Sequence, residues 1–384
     1  MALKFNKDIQ ILVVDEQPLA QNYLRYVLEN LGYLNFHYAE NSAAALASCL
    51  DKVFDLIICS FNLNGKDGYQ LYQELKARNL FSYSTGFIFI SAETDPSLVH
   101  SVLELQPDEF MVKPFAIKDL KSRIDRTLQR KNLFRPLYSL MDQKKTDLAL
   151  KQLDQWLAQG YQAKYTNMLL KIKGDILLFI GDVWEAVLLY GQVYSDYKND
   201  AIGFDAKFKT AKAYYYTGDF KWAKTQLDVL KGATHKLIAN DAIGLSILIS
   251  DNLATDTIEE PLKLFAEADY LFYQKMYMEA LEKLRWIPLQ FPNHSTLLDD
   301  VFYLKAKIYV YLQKYNEAIE SLTNAIAQDD LLVDESLMFL AEIYSNYLNQ
   351  ADKALECYEK VLTDFDDSVF VNEARTKYRL IRGK

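Results

Sequence analysis

Three short runs of uninterrupted apolar residues, Ile11–Val14, Leu56–Cys59 and Gly86–Ile90, constrain the first third of this chain more than any other feature. A strand with one wet face alternates polar and apolar residues. An unbroken run of four or five suits a strand buried on both faces, as in a parallel sheet covered by helices. Helix-period segments lie between the runs. Pro18 suits a first helical turn, Leu24, Val27, Leu28 and Leu31 recur at helical spacing, and Gly32 stops the segment. Asn35–Ala39 and Glu109–Val112 read as two more strands, and Ser42–Leu50, Tyr69–Arg78, Pro96–Leu105 and Ile117–Lys131 as the remaining helices. Five strands, each followed by a helix, predict an α/β doubly wound five-stranded parallel sheet over residues 1–132. In such folds the working site lies at the carboxyl ends of the strands. Asp15, Glu16, Ser60, Ser91 and Lys113 all fall there.

Past Leu133 the strand-like runs stop and aromatic-rich helical segments continue to the end. The region repeats itself. One unit carries Leu170, Gly174, Leu177, Gly181-Asp182, Ala186 and Tyr190; the next carries Ala211, Tyr214, Gly218-Asp219, Ala223 and Leu227. Later copies place Ala280, Ala318 and Ala354 at the same small-residue position, and Ala149 marks a partial first copy. Small residues there let two antiparallel helices approach closely, and large residues three or four places away fill the space between pairs. The spacing is 37 for Ala149–Ala186 and Ala186–Ala223, 38 for Ala280–Ala318 and 36 for Ala318–Ala354. Ala223–Ala280 is 57, which breaks the period. An unpaired helix over His235–Ala254 and a loop at Thr255–Thr257 are expected there, a discontinuity near 232–260; a single diverged repeat is the alternative. With Gly174, Gly181, Ala186 and Tyr190 as its clearest copy, residues 133–384 resemble the tetratricopeptide repeat, slightly longer than that family's period of 34. The resemblance implies an all-α helical repeat array that holds a protein partner.

Charge and composition exclude several classes. There are 43 Lys+Arg against 52 Asp+Glu, a net charge of −9. Residues 1–133 carry 14 basic and 16 acidic groups, and the remainder 29 and 36. Neither part has the basic footprint of a DNA-binding module. Three widely spaced cysteines, Cys49, Cys59 and Cys357, form no CxxC, and the four histidines form no paired metal-binding spacing. A short polar start and the lack of a membrane-length apolar stretch suggest a reduced cytosolic setting. The aromatic residues, at helical spacing, read as core rather than as a base-stacking surface. No Ser/His/Asp set, phosphate-binding glycine loop or paired-carboxylate cleft points to an enzyme.

Residues 9–131 resemble a response-regulator receiver domain, flavodoxin-like in fold. The acidic pair after strand one is Asp15-Glu16, the hydroxyl position after strand four is Ser91, and the lysine motif is Lys113-Pro114-Phe115. Phe110 sits where the family often carries a switching aromatic, and Asp67-Gly68 matches the turn after the phosphoacceptor loop. The resemblance implies a phosphoacceptor Asp after strand three. Here Asp55 before and Asp67-Gly68 after fix the register, and the position is Ser60. A hydroxyl with no identified base beside it is a poor nucleophile, and it removes one anionic Mg²⁺ ligand. Asp15, Glu16 and the Asn62 carbonyl leave a weak Mg²⁺ site at most, and no other cofactor is expected. Lys113 is expected to pair with Asp15 or Glu16. The reading is a signalling adaptor of a bacterial two-component or phosphorelay system, in which a pseudo-receiver meets a histidine kinase or another response regulator. Its repeats bind a protein partner, without membrane contact. The alternatives are a switch phosphorylated at Ser60 or another residue, and a nucleic-acid-associated regulator.

Overall fold

A computed structural model describes residues 8–63, 68–78, 80–92, 107–232, 236–254, 258–292, 295–328 and 332–383. The N-terminal part runs β1 (Ile11–Val14), α1 (Pro18–Asn30), β2 (Phe36–Ala39), α2 (Ser42–Asp51), β3 (Leu56–Ser60), α3 (Gly68–Ala77), β4 (Gly86–Ser91), β5 (Glu109–Val112) and α4 (Ile117–Leu133). The five strands form one sheet in the order β2-β1-β3-β4-β5, with every pairing parallel. The helix expected over Pro96–Leu105 lies outside the described residues.

The apolar runs divide by parity, as successive side chains on a strand must. Leu12, Val14, Ile57, Cys59, Phe87 and Phe89 face one layer with Ala45, Cys49, Leu71, Tyr72 and Leu75 of α2 and α3. Ile11, Val13, Leu56, Ile58, Ile88 and Ile90 face the other, with Leu24, Val27 and Leu28 of α1 and Leu120, Ile124 and Leu128 of α4. Local signals place the ends. The Asn41 side chain accepts the Ala44 N–H at 2.9 Å to cap α2. Asp55 accepts the Gln10 N–H at 2.9 Å just before β3.

Phe134 alone separates α4 from the next helix, α5 (Arg135–Asp142), and it is fully buried against Leu137, Tyr138, Leu153 and Trp156. Leu153 and Trp156 belong to α6 (Thr146–Ala158). Asp142 reaches the loop before β4, accepting the Tyr83 N–H at 3.0 Å and the Ser82 hydroxyl. Lys131 donates to the Tyr83 carbonyl at 3.1 Å. The receiver-like sheet therefore passes into helices without a free linker. By packing, the chain divides into two compact units. The first comprises the described residues up to Ile176 with Gln192–Ala206 and a short stretch ending at Ile238. The second comprises Leu177–Gly191, the described part of 207–233, and Ala239 onward.

The remaining helices are α7 (Thr166–Ile180), α8 (Val183–Asp196), α9 (Ala201–Tyr216), α10 (Phe220–Lys231), α11 (Lys236–Ala254), α12 (Glu260–Tyr273), α13 (Tyr277–Gln290), α14 (Leu298–Tyr311), α15 (Tyr315–Ile326), α16 (Val333–Asn346), α17 (Ala351–Asp364) and α18 (Val371–Arg382). Within the second unit α12 packs on α13, α14 on α15 and α16 on α17, and successive pairs touch through α13–α14 and α15–α16. Ala149, Ala186, Ala223, Ala280, Ala318 and Ala354 are all fully buried, and Gly174 is buried. Five residues before each of these alanines stands a left-handed residue: Lys144, Gly181, Gly218, Lys275, Gln313 and Asn349, with φ of 56°, 102°, 77°, 63°, 59° and 53°. In five of these turns the following N–H returns to a carbonyl five residues back, as from Asp182 to Leu177 at 2.9 Å and Lys314 to Tyr309 at 2.8 Å. That is the Schellman stop; at the sixth turn the Gln350 N–H returns to the Tyr344 carbonyl, six residues back, at 2.8 Å. The interval of 57 holds one additional helix, α11; Thr255–Thr257 and His235 lie outside the described residues.

Many of the aromatic side chains serve the packing, whereas Trp184, Trp222 and Trp286 are exposed. Tyr190, Tyr215 and Tyr358 are almost fully buried. Tyr277 stacks on Tyr311 at 5.7 Å and Tyr315 on Tyr347 at 4.8 Å, one contact repeated in successive pairs.

Candidate functional site

The register of the sheet brings the singled-out polar residues to one edge. Val14 is paired with Cys59, Ser60 with Ile90, and Ser91 with Val112. Asp15, Ser60, Ser91 and Lys113 therefore stand in neighbouring strands at the carboxyl ends, on β1, β3, β4 and β5 or one residue beyond. The main chain ties them further: Lys113 N–H donates to the Ser91 carbonyl at 2.7 Å, and Phe61 N–H to the Ile90 carbonyl at 2.8 Å.

Asp15 is 2% exposed, and both of its carboxylate oxygens are engaged. Oδ1 accepts the Gln17 N–H at 2.9 Å, and Oδ2 accepts the Lys113 ammonium at 2.8 Å. The Lys113 side chain is a quarter exposed, so the pair sits at the mouth of the edge rather than deep in the core. Of the two acids, Asp15 is the one that Lys113 takes. Glu16 points a buried Oε2 at no hydrogen-bond donor among the described residues.

Ser60 is buried at 8% exposure and closes β3. Gly68 lies against it: a Cβ there would come within 2.5 Å of the Ser60 carbonyl oxygen, which explains the glycine. Ser91 is 1% exposed at the end of β4. Phe110 is packed in the apolar layer with Phe87 and Phe89, so it faces inward. Asn62 is exposed beyond Ser60, and Asp67 lies outside the described residues. The charged network around Asp108, at the opposite end of β5, was not singled out from the sequence. There Asp108 meets Arg130 at 2.5 Å and Lys131 at 3.2 Å, and accepts the Phe87 N–H at 2.8 Å. The helical spacing of Arg123, Arg126, Arg130 and Lys131 shows them sharing a face, but their carboxylate partners come from the sheet.

The implied Mg²⁺ can be tested against these groups. Among the described residues no three His, Cys, Asp or Glu side chains converge as a metal site. The oxygens at hand are those of Asp15, Glu16 and the Asn62 carbonyl. Asp15 already meets an ammonium, and Ser60 contributes no charge. A tightly held divalent ion does not fit this donor set, and no step is derived through one.

Comparison with known proteins bears on the same stretch. The model of the response regulator receiver domain matches residues 11–125. Over 125 residues the chain is 32% identical to the transcriptional regulatory protein AruR of Pseudomonas aeruginosa, covering 32% of this chain and 50% of that protein. It is 25% identical to the chemotaxis protein CheY-3 of Vibrio cholerae, covering 33% of this chain and 95% of that protein. Among solved structures, chemotaxis response regulator CheY4 of Vibrio cholerae is 23% identical, covering 32% of this chain and 99% of that one, with a TM-score of 0.29. The chain spans about half the length of the transcriptional regulators it matches, AruR and IrlR of Burkholderia pseudomallei among them. No described helix is long and apolar enough to cross a membrane. Residues 11–125 are a response regulator receiver domain, followed by a long all-helical region.

Proposed function

We propose that this protein is a signalling adaptor whose receiver domain works without aspartyl phosphorylation and whose helical region, tetratricopeptide-like, holds a protein partner. The observation that carries the first half is the ion pair of Lys113 with Asp15 at 2.8 Å beside Ser60. The phosphoacceptor position is Ser60, so the edge lacks the carboxylate that forms an acyl phosphate and the third anion that helps hold Mg²⁺. The Lys113 ammonium supplies positive charge to Asp15 in place of a metal, and holds the edge in one arrangement. Signals then reach the domain by contact with a kinase or another receiver. The register of six buried alanines and six left-handed turns supports the second half, since such stacked pairs present an extended surface rather than an enclosed pocket. No catalytic constellation is assigned. A nucleic-acid role is disfavoured because the part beyond residue 133 carries 29 basic and 36 acidic groups.

The test is incubation of the full chain with acetyl phosphate and Mg²⁺, followed by intact mass. The unmodified mass is expected. A hydroxylamine-labile phosphoryl adduct would overturn the reading, and a hydroxylamine-stable one on Ser60 would replace it with a phosphoserine switch.

A further inference from the structure

The last helix, α18, carries a charge arrangement that nothing in the receiver account uses. Its inner face packs through Ala374, Tyr378 and Ile381 on the core of the preceding helix pairs. Lys377 on that side is held by Glu342 at 2.6 Å and Glu373 at 2.7 Å. The outer face presents Arg375, Arg379 and Arg382, at i, i+4 and i+7, all exposed. Together with Tyr378 they line one open groove. Arg382 donates to the Tyr378 hydroxyl at 3.1 Å, with its guanidinium 5.5 Å from the ring centroid, so the tyrosine steadies one end of the stripe.

Clustering sets these arginines apart: Arg135 and Arg285 are also exposed and meet no carboxylate among the described residues, but each stands alone on its helix. The chain has 10 arginines. Arg25, Arg78, Arg123, Arg126 and Arg130 each meet a carboxylate. Among the described residues Arg375, Arg379 and Arg382 meet none. Three unneutralised guanidinia on one helix face stand out in a protein of net charge −9.

We propose that this stripe docks an acidic amphipathic helix of a partner protein, with carboxylates at i, i+4 and i+7 facing Arg375, Arg379 and Arg382. The stripe spans about 10 Å of helix axis, the length over which a partner helix presents three such groups. The planar guanidinium fork matches a carboxylate bidentately, and Tyr378 adds an apolar edge. Charge complementarity selects this occupant over a polyanion. A duplex presents a phosphate charge about every 1.7 Å and continues far past the stripe, along a chain whose net charge is −9. The proposal deepens the adaptor reading and rests on its protein-binding half.

The experiment measures fluorescence anisotropy of a labelled, end-blocked helical peptide carrying Glu at i, i+4 and i+7, titrated with the full-length chain. Binding is expected that weakens at least about tenfold when Gln replaces the peptide's Glu. A like loss is expected when the chain carries Arg375→Gln, Arg379→Gln and Arg382→Gln together, and affinity should fall as salt rises, as exposed charges require. The reversal Arg375→Glu, Arg379→Glu and Arg382→Glu is expected to transfer binding to the Lys counterpart of the peptide, with an unchanged thermal melt. No binding of the Glu peptide, equal binding by the triple Gln chain, or tighter binding of a short DNA duplex would each overturn the proposal. The acetyl phosphate result does not depend on α18, so failure here leaves the receiver half of the adaptor reading to stand or fall separately.

Discussion

Asp15 and Lys113 form the ion pair at the receiver edge. Asp15 is 2% exposed and Lys113 a quarter exposed, so removing the ammonium leaves a buried carboxylate with one backbone donor. Lys113→Ala is expected to cost about 1–3 kcal/mol, below the full cost of breaking a deeply buried pair because water reaches the lysine side. Urea denaturation of the two chains checks this, and equal midpoints would contradict it. The cysteines give a second residue-level expectation. Burial pushes the thiols of Cys49 and Cys357 up to about 11. Since the thiolate is the reactive form, a thiol reagent near neutral pH should label both slowly in the native protein and rapidly in denaturant. Fast native labelling at either site would show that burial is wrong there.

At the scale of elements, the turn before each buried alanine carries the repeat. Gly181 and Gly218 take their left-handed φ without cost, whereas Lys144, Lys275, Gln313 and Asn349 adopt the same conformation against a Cβ penalty. Gln313→Gly should therefore stabilise by about 0.5–1 kcal/mol, and an Ala at Gly181 should destabilise by about as much; thermal melts read both. Ala186→Leu, at a fully buried contact, should cost roughly 1–3 kcal/mol. An unchanged melting temperature would contradict the assigned register. The turns also show how far the sequence could be read. The Gly-Asp turns at Gly181 and Gly218 announce themselves, and the Lys314-Tyr315 pair marks the turn at Gln313; Lys275 and Asn349 occupy the same place with no compositional sign. Only the fixed offset to the next alanine reveals them. Likewise the sheet and the Asp15–Lys113 contact were legible, because strand ends and charge fix them. The Asp108 network and the seal at Phe134 were not, since both depend on residues far apart in sequence meeting in space.

Over the whole molecule, the many buried phenols set an alkaline limit. Burial raises Tyr33, Tyr138 and Tyr358 to about 12, from an ordinary value of 10.0. It also raises Tyr215, Tyr216 and Tyr303 well above their ordinary value. The unfolded chain releases these protons first. The stability they lend is full below about pH 10 and falls as pH rises toward about 12. The urea midpoint should hold steady from neutral pH to about 9 and drop steeply above 10; a midpoint that rises there would refute the sign. The absence of a free linker between α4 and α5 matters at this scale as well. Cutting the chain at residue 133 would expose Phe134, which is fully buried, so partner binding is best measured on the full chain.

The most direct test compares the natural chain with Ser60→Asp under acetyl phosphate and Mg²⁺, reading intact mass before and after hydroxylamine. The natural chain should stay unmodified, while Ser60→Asp should gain one phosphoryl group that hydroxylamine removes. A labile adduct on the natural chain would contradict the claim that this receiver signals by contact alone.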